Sequence, residues 1–207
     1  LIDEIEENGL ELFLVTYIKY AKGWNSSSRS YGKNSNMYAN EISEQDLIRE
    51  MTDHNGSIKK LLDAASGNLS VVKPFLPATL VSLNTNTRDR SKVKFEHTGR
   101  FCFDIDKLES LEDALFWMNK IWKGTQNLKP YMAFISPRGK GVKVFCQVDR
   151  NSDEFQKDFN SCEKEVVVKN HKIWYEGGVK ELIKTFPALE KKIDDDTNDP
   201  QRLTYLP

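Results

Sequence analysis

The sequence predicts an α/β (α+β) fold, a sheet covered by helices with a mostly helical region ahead of it. Three observations predict it. Apolar residues recur at roughly helical spacing near the start of the chain. The texture changes after Lys73, where Pro74 and Pro77 interrupt the chain. Beyond that point, short apolar runs and amphipathic stretches follow in the order strand–helix–strand–strand–helix–helix–strand. We therefore divide the chain into a helical N-terminal region over 1–70, an accessory or cap, and a core over 71–207.

The elements follow in order. Ile2, Ile5, Leu10, Leu12, Phe13 and Ile18 predict a helix over 1–22, with Gly23 as its stop. Residues 24–41 are rich in Ser, Asn and Gly and read as a loop. Ser43 and Asp46 fit a capping box for a helix over 44–52, and a second short helix near 57–66 ends at Gly67. An apolar run spans Ala78 to Leu83. RFCFDID over 100–106 reads as a buried strand of aromatic and small residues. Ser110 caps a helix with Leu111, Leu115, Met118 and Trp122 on one face. YMAFIS (131–136) and VKVFCQV (142–148) are strands joined by the PRGKG turn. An amphipathic helix near 152–168 carries Phe155, Phe159, Cys162 and Val166, and another covers 177–185. The acid-rich segment from Lys191 leads into a short apolar strand at the end.

Composition narrows the class. The 207 residues, 39% hydrophobic and with 11 Phe, 7 Tyr and 4 Trp, carry the aromatics that a disordered chain lacks. Thirty basic and 31 acidic residues give a net charge of −1, which excludes a protein that coats nucleic acid by bulk charge but not one with a local basic groove. The cysteines, Cys102, Cys146 and Cys162, are odd in number and far apart, which predicts buried thiols in a reducing cytoplasm rather than disulfides. With no CxxC pair and only scattered His54, His97 and His171, a Cys/His zinc site is not expected. No apolar stretch is long enough to span a membrane. The chain does not begin with Met and ends just after a predicted strand, so it reads as a piece of a longer protein.

Three places depart from what a plain core wants. In Asp104-Ile105-Asp106, strand alternation puts both carboxylates on one face while Phe103 and Ile105 turn to the core. Adjacent like charges cost free energy unless a cation offsets them, and carboxylate oxygens suit Mg²⁺ or Mn²⁺. A strand end turning polar at solvent is the plainer explanation. In Ser136-Pro-Arg-Gly-Lys-Gly-Val-Lys143, Gly139 and Gly141 permit a tight turn that presents backbone N–H groups. Arg138, Lys140 and Lys143 add cations, and Ser136 a hydroxyl; these are the groups a triphosphate needs, although a solvated hairpin has the same look. The spacing is not that of a Walker A loop. Lastly, Asp194-Asp195-Asp196-Thr-Asn-Asp199 is either a solvated turn or the source of a third metal ligand, with Arg202 downstream facing phosphate. Arg88, Arg90, Lys92 and Lys94 form a basic run that suits a nucleic-acid backbone, with Lys59, Lys60 and Arg100 as lesser candidates. Trp24, Tyr31, Tyr38 and Trp174 are candidates for base stacking, while Trp117, Trp122 and Trp174 also fit the core.

From about Lys73 onward the chain resembles the archaeo-eukaryotic primase superfamily, and within it the primase-polymerase domain of virulence-associated E-type proteins and CRISPR-associated primase-polymerases. FCFDID resembles the strand ending in DxD, SPRGKGVKVF the Ser/Gly turn before a strand, and IDDDTNDPQRLTYLP the hydrophobic-Asp segment leading to an Arg-containing strand. LPATL (76–80) and HTG (97–99) resemble segments ahead of the first motif. The resemblance implies a primase-polymerase fold with an RRM-like catalytic sheet. It implies template-directed nucleotidyl transfer from a dNTP or NTP to a 3′-hydroxyl, with two Mg²⁺ or Mn²⁺ ions on Asp104, Asp106 and Asp194. Ser136, Arg138, Gly139, Lys140, Gly141 and Lys143 would hold the triphosphate, with Arg202 assisting. The motif's usual His is Lys143 here, a mobile point charge rather than an imidazole. The implied partners are a single-stranded DNA template or primer-template, and a helicase or CRISPR-associated domain in the same or a neighbouring chain.

Two other classes compete. A non-catalytic nucleic-acid-binding accessory module has no need of adjacent carboxylates. A Toprim-type nuclease needs a Glu one helix upstream of DxD, and Glu96 is too close to serve.

Overall fold

The computed structural model describes residues 14–20, 24–25, 30–31, 37–53, 78–84, 95–200 and 203–205. The part that matters most for function is a three-stranded antiparallel sheet. Its strands are β8 (Arg100–Ile105), β9 (Pro130–Ile135) and β10 (Val142–Gln147), in the order β8-β10-β9. The connection from β8 to β9 is α2 (Leu111–Gly124), a helix capped by Ser110 Oγ, which accepts from the Asp113 N–H at 3.2 Å. β10 inserts between two parallel neighbours, a split β-α-β unit. β9 is an edge strand, and its first residue is Pro130, a position where a missing N–H costs little. α3 (Asp153–Phe159) and α4 (Lys164–Thr185) follow. The chain then returns to the free side of β8 through an antiparallel bridge between Ile193 and Ile105.

A second sheet has the order β11-β5-β1-β4. It comprises β1 (Leu14–Tyr20), β4 (Met37–Ser43), β5 (Ala78–Leu80) and β11 (Leu203–Tyr205). Two small ladders, β2 (Trp24–Asn25) with β3 (Ser30–Tyr31) and β6 (Leu83–Asn84) with β7 (Glu96–His97), complete the described strands. α1 (Glu44–Thr52) forms where the capping box predicts it, with Ser43 Oγ accepting from the Asp46 N–H at 3.1 Å. No helix among the described residues is long and apolar enough to cross a membrane.

Several expectations are corrected. Residues 14–20 are strand, not part of a helix over 1–22, and residues 37–43 are strand rather than loop. LVTYIKY is rich in β-branched and aromatic residues, and its pairing with both β4 and β5 outweighs the helical spacing around it. The mostly helical N-terminal region is thus largely β where it is described, and its strand β1 pairs with β5 across the boundary at residue 70. The helix near 57–66 lies outside the described residues. The expected helices over 152–168 and 177–185 are instead α3 and a 22-residue α4, separated at 160–163. Phe155 and Phe159 are buried as expected, but Cys162 falls in the break and is exposed; Cys102 and Cys146 are buried.

On α2 the buried stripe is Ala114 and Ile121, with Trp117 and Met118 packed against the core. Leu111, Leu115 and Trp122 are exposed, so the helix is rotated from the face first inferred. Both stripes have helical spacing, and periodicity alone cannot choose between them. Trp122 therefore does not belong to the core.

The main core packs Phe101, Phe103 and Ile105 of β8, with Val142 and Val144 of β10, against Ala114 and Ile121 of α2 and Tyr175 and Leu182 of α4. Phe103 stacks on Tyr175 at 5.2 Å between ring centroids. α4 can approach this closely because residue 178 is Gly: a Cβ there would lie 2.4 Å from Phe103 Cζ, whereas a Cβ on Gly177 would meet nothing within 4 Å. A second cluster of Leu83, Phe95, Phe155, Phe159 and Val167 surrounds a buried histidine pair. His97 Nδ1 accepts from the Gly99 N–H at 3.0 Å, so its Nε2 carries the proton and donates to His171 Nδ1 at 2.8 Å. Burial, then the neighbouring His171 and Arg150, hold His97 well below the usual imidazole range, and burial pushes His171 down to about 3.

Two predictions follow from this packing. Gly178→Ala will destabilise the protein by about 1–2 kcal/mol through overpacking against Phe103. Gly177→Ala will stabilise it by about 0.5–1 kcal/mol through helix propensity; urea denaturation of the two variants checks the contrast. The histidine pair sets an acid limit. A folded-state pKa near 3 against an unfolded value near 6.5 means the unfolded chain binds more protons between those values. Stability is then complete above about pH 6.5 and falls as pH drops toward 3, by a few kcal/mol in all. Urea midpoints at pH 7.5 and 5.0 will differ, and His171→Gln, which cannot titrate, will narrow the difference.

Candidate metal centre

Asp104 occupies the last turn of pleat on β8, opposite the core face carried by Phe103 and Ile105. Asp106 follows at the end of the strand. Asp194 is brought alongside by the bridge that returns the chain to β8. The Asp194 N–H donates to the Asp104 carbonyl at 2.8 Å, and the Asp106 N–H donates to the Lys192 carbonyl at 2.7 Å. One carboxylate oxygen from each of Asp104, Asp106 and Asp194 lies within 4.8 Å of the others. Three carboxylates at this separation are a hard-oxygen donor set that could hold a metal ion.

Each carboxylate has its own support. The Asp194 carbonyl lies 3.1 Å from Tyr175 Oη and 2.7 Å from Thr197 Oγ1, and the two hydroxyls lie 2.6 Å apart, so their two protons serve three contacts. The Asp194 carboxylate also caps the 3₁₀ turn over Asp195–Asn198, accepting from the Asp196 N–H at 3.0 Å. Asp106 sits against the hairpin turn between β9 and β10. A Cβ on Gly141 would lie 2.6 Å from Asp106 Oδ1, 2.8 Å from the Ile105 carbonyl and 3.0 Å from Ser136 Oγ, so only glycine leaves room here. The turn is closed by Ser136 N–H to the Gly141 carbonyl and Gly139 N–H to the Ser136 carbonyl, both 2.8 Å.

Asp104 is the most enclosed of the three. Its side chain is 10% exposed, and Oδ2 accepts a charged hydrogen bond from Lys143 Nζ, whose side chain is 11% exposed. The antiparallel register sets Lys143 directly across from Asp104. Oδ1 is buried with no hydrogen-bond partner among the described residues. Burial raises the Asp104 pKa, the Lys143 ammonium pulls it back, and Asp106 and Asp194 raise it further; the net direction is upward. A buried carboxylate that keeps one oxygen unpartnered and converges with two further carboxylates is short of positive charge.

The other expected site residues divide. Ser136 and Gly141 join the centre through Asp106. Arg138 and Lys140 are exposed on the same turn, with Gly139 between them at φ +70°. Lys143 is drawn to a carboxylate rather than outward. Arg202 and the run Arg88, Arg90, Lys92 and Lys94 lie outside the described residues, as do Lys59 and Lys60. Arg100 is corrected: it is 2% exposed and lies over the Tyr131 ring at 5.3 Å, a buried position that cannot reach a nucleic-acid backbone. Sequence reasoning missed the Lys143–Asp104 pair and the Tyr175–Thr197 support. The first was accessible only through the β8–β10 register, the second only through the docking of α4.

A family model described as BT4734-like, N-terminal domain, matches residues 72–206. No curated protein and no solved structure matches the chain.

Gly141→Ala tests the geometry. It will lower stability by about 1–3 kcal/mol, because the new methyl meets backbone at Ile105, and will displace Asp106 from the carboxylate cluster, so that a Mn²⁺ ion held there would bind more weakly. Calorimetric titration with Mn²⁺ beside a urea melt measures both.

Proposed function

The chain belongs to the BT4734-like N-terminal domain family, and we propose that it is a template-directed nucleotidyltransferase, a primase-polymerase that extends a 3′-hydroxyl with a dNTP or NTP. The observation that carries the reading is the convergence of Asp104, Asp106 and Asp194 with a buried, unpartnered Oδ1 on Asp104. Two further observations support it. The order Ile193 segment–β8–β10–β9, with α2 between β8 and β9, a hairpin between β9 and β10, and α3 and α4 before the Ile193 segment, supports an RRM-like sheet. The turn that carries Arg138 and Lys140 borders the Asp106 carboxylate at Ser136 and Gly141.

In this reading the three carboxylates hold Mg²⁺ or Mn²⁺. Bound divalent ions lower the pKa of an attacking hydroxyl and offset charge on a departing pyrophosphate. The bond formed joins the 3′-oxygen to the α-phosphorus, the bond broken releases pyrophosphate, and the hydroxyl proton passes to solvent. Arg138, Lys140 and the backbone N–H groups of the turn bind the triphosphate, with Arg202 assisting. Arg88, Arg90, Lys92 and Lys94 hold the template strand, a single strand or a primer-template junction. A helicase or CRISPR-associated domain, in the same or a neighbouring chain, is the matching partner.

A second reading, a nucleic-acid-binding accessory module without catalysis, has one observation in its favour: Lys143 already neutralises part of the acidic cluster.

The test is extension of primed and unprimed single-stranded DNA with dNTPs or NTPs and Mg²⁺ or Mn²⁺. Wild type is expected to make product, and Asp104→Ala/Asp106→Ala to make none. Product on the unprimed strand identifies a primase, and product on the primed strand alone a polymerase. Absence of synthesis together with absence of nucleotide binding would leave the accessory module as the better reading.

A further inference from the structure

Resting on the metal-centre reading above, we infer that Lys143 serves as a built-in cation of the site, so that without nucleotide the three carboxylates take up one divalent ion and compete with Lys143 for Asp104. The charge count supports it. Three carboxylates against one ammonium leave a formal charge of −2, which a single divalent ion neutralises. The geometry supports it more directly. Asp104 offers its two oxygens differently: Oδ2 is held by Lys143 Nζ, and Oδ1 is buried without a partner. The oxygen already bonded to an ammonium is a poor ligand for a second ion, because a cation there would stand against Nζ at contact distance with little water between.

The other cations nearby do not share this position. Arg138 and Lys140 are exposed at the tip of the hairpin. Lys192 Nζ donates to the Lys107 carbonyl at 3.4 Å, not to a carboxylate. Among the described residues Lys143 is the cation bonded to a member of the triad. It is held there by the sheet: it faces Asp104 across the β8–β10 ladder, flanked by the buried Val142 and Val144. An ion beyond the first would then arrive with the phosphates of a nucleotide, whose oxygens supply the missing ligands and negative charge. Mg²⁺ keeps most of its own waters and is commonly held by one or two carboxylates plus substrate phosphate, which fits a centre that is complete only with nucleotide.

The experiment counts ions. Mn²⁺ is titrated into the full chain without nucleotide, and free Mn²⁺ is followed by electron paramagnetic resonance. Wild type is expected to saturate at one ion per chain. Lys143→Gln, which keeps a hydrogen-bond donor but no charge, is expected to bind Mn²⁺ at least roughly tenfold more tightly, since a like charge beside the ion has been removed. Two tight ions on the wild type, or Mn²⁺ binding in Lys143→Gln that is equal or weaker, would overturn the inference while leaving the metal centre standing. Asp104→Asn/Asp106→Asn is the control for the centre itself. Binding that survives in it, or no binding by wild type and Lys143→Gln alike, would overturn the metal centre and the inference together. Circular dichroism checks that Lys143→Gln folds; should it not, the wild-type count decides alone, because it needs no variant.

Discussion

A carboxylate buried at the end of β8 governs the rest of this site. Taking an ionised carboxylate out of water costs several kcal/mol even after the protein relaxes around it. Asp104 meets that cost with one ammonium, from Lys143, and its second oxygen has no hydrogen-bond partner among the described residues. Two more carboxylates within 4.8 Å add repulsion to the desolvation. The upward direction of the Asp104 pKa shows that burial and its acidic neighbours outweigh the lysine. Added positive charge would therefore make Asp104 easier to keep ionised, and the three carboxylates could hold a metal ion.

The scaffold is built to hold that carboxylate still. Every residue of β8 is buried, so the strand is enclosed on both faces. One face carries Phe101, Phe103 and Ile105 into the core with α2 and α4. The opposite face carries Cys102 and Asp104. Cys102 meets Thr204 of β11, whose hydroxyl lies 3.6 Å from its sulfur, and burial pushes that thiol up to about 11. β11 is also the edge of the sheet that contains β1 and β4. The described strands β1 and β4 therefore belong to the same sheet as the last strand. Fixing a ligand by packing on both sides of its strand is what a precise metal centre requires.

Some of this was legible in the sequence. Strand alternation alone places Asp104 and Asp106 together, because a run such as FCFDI must bury its aromatic residues and so turns the carboxylates to one face. α1 was equally legible from Ser43 and Asp46, a local hydrogen bond that needs no tertiary context. What was hidden depends on contacts far apart in the chain. β1 looks helical by spacing until it finds β4 and β5. The buried face of α2 could be either of two apolar stripes until the sheet chooses Ala114 and Ile121. The long α4 runs through Gly177 and Gly178, where the sequence shows a helix only from 177 onward, and only Phe103 explains the second glycine. Lys143 read as a phosphate ligand because nothing in the hairpin sequence shows that Asp104 lies across from it.

That cross-strand relation also explains why the two acids of the DxD pair are not equivalent. β10 runs antiparallel to β8, so the positions facing Asp104 and Asp106 are two apart, Lys143 and, one step beyond the paired ladder, Gly141. One partner is the longest cationic side chain on the strand, and the other has no side chain. Asp104 is tied across the sheet by charge. Asp106 instead fills the space that a Cβ on Gly141 would take, beside Ser136 and the turn that carries Arg138 and Lys140. The same hairpin therefore anchors one carboxylate and makes room for the other next to its basic tip. A cation gathered between them would lie with a fixed ligand on the strand side and an adaptable one on the turn side. Asp194, held through its own backbone by Tyr175 and Thr197, supplies the third direction.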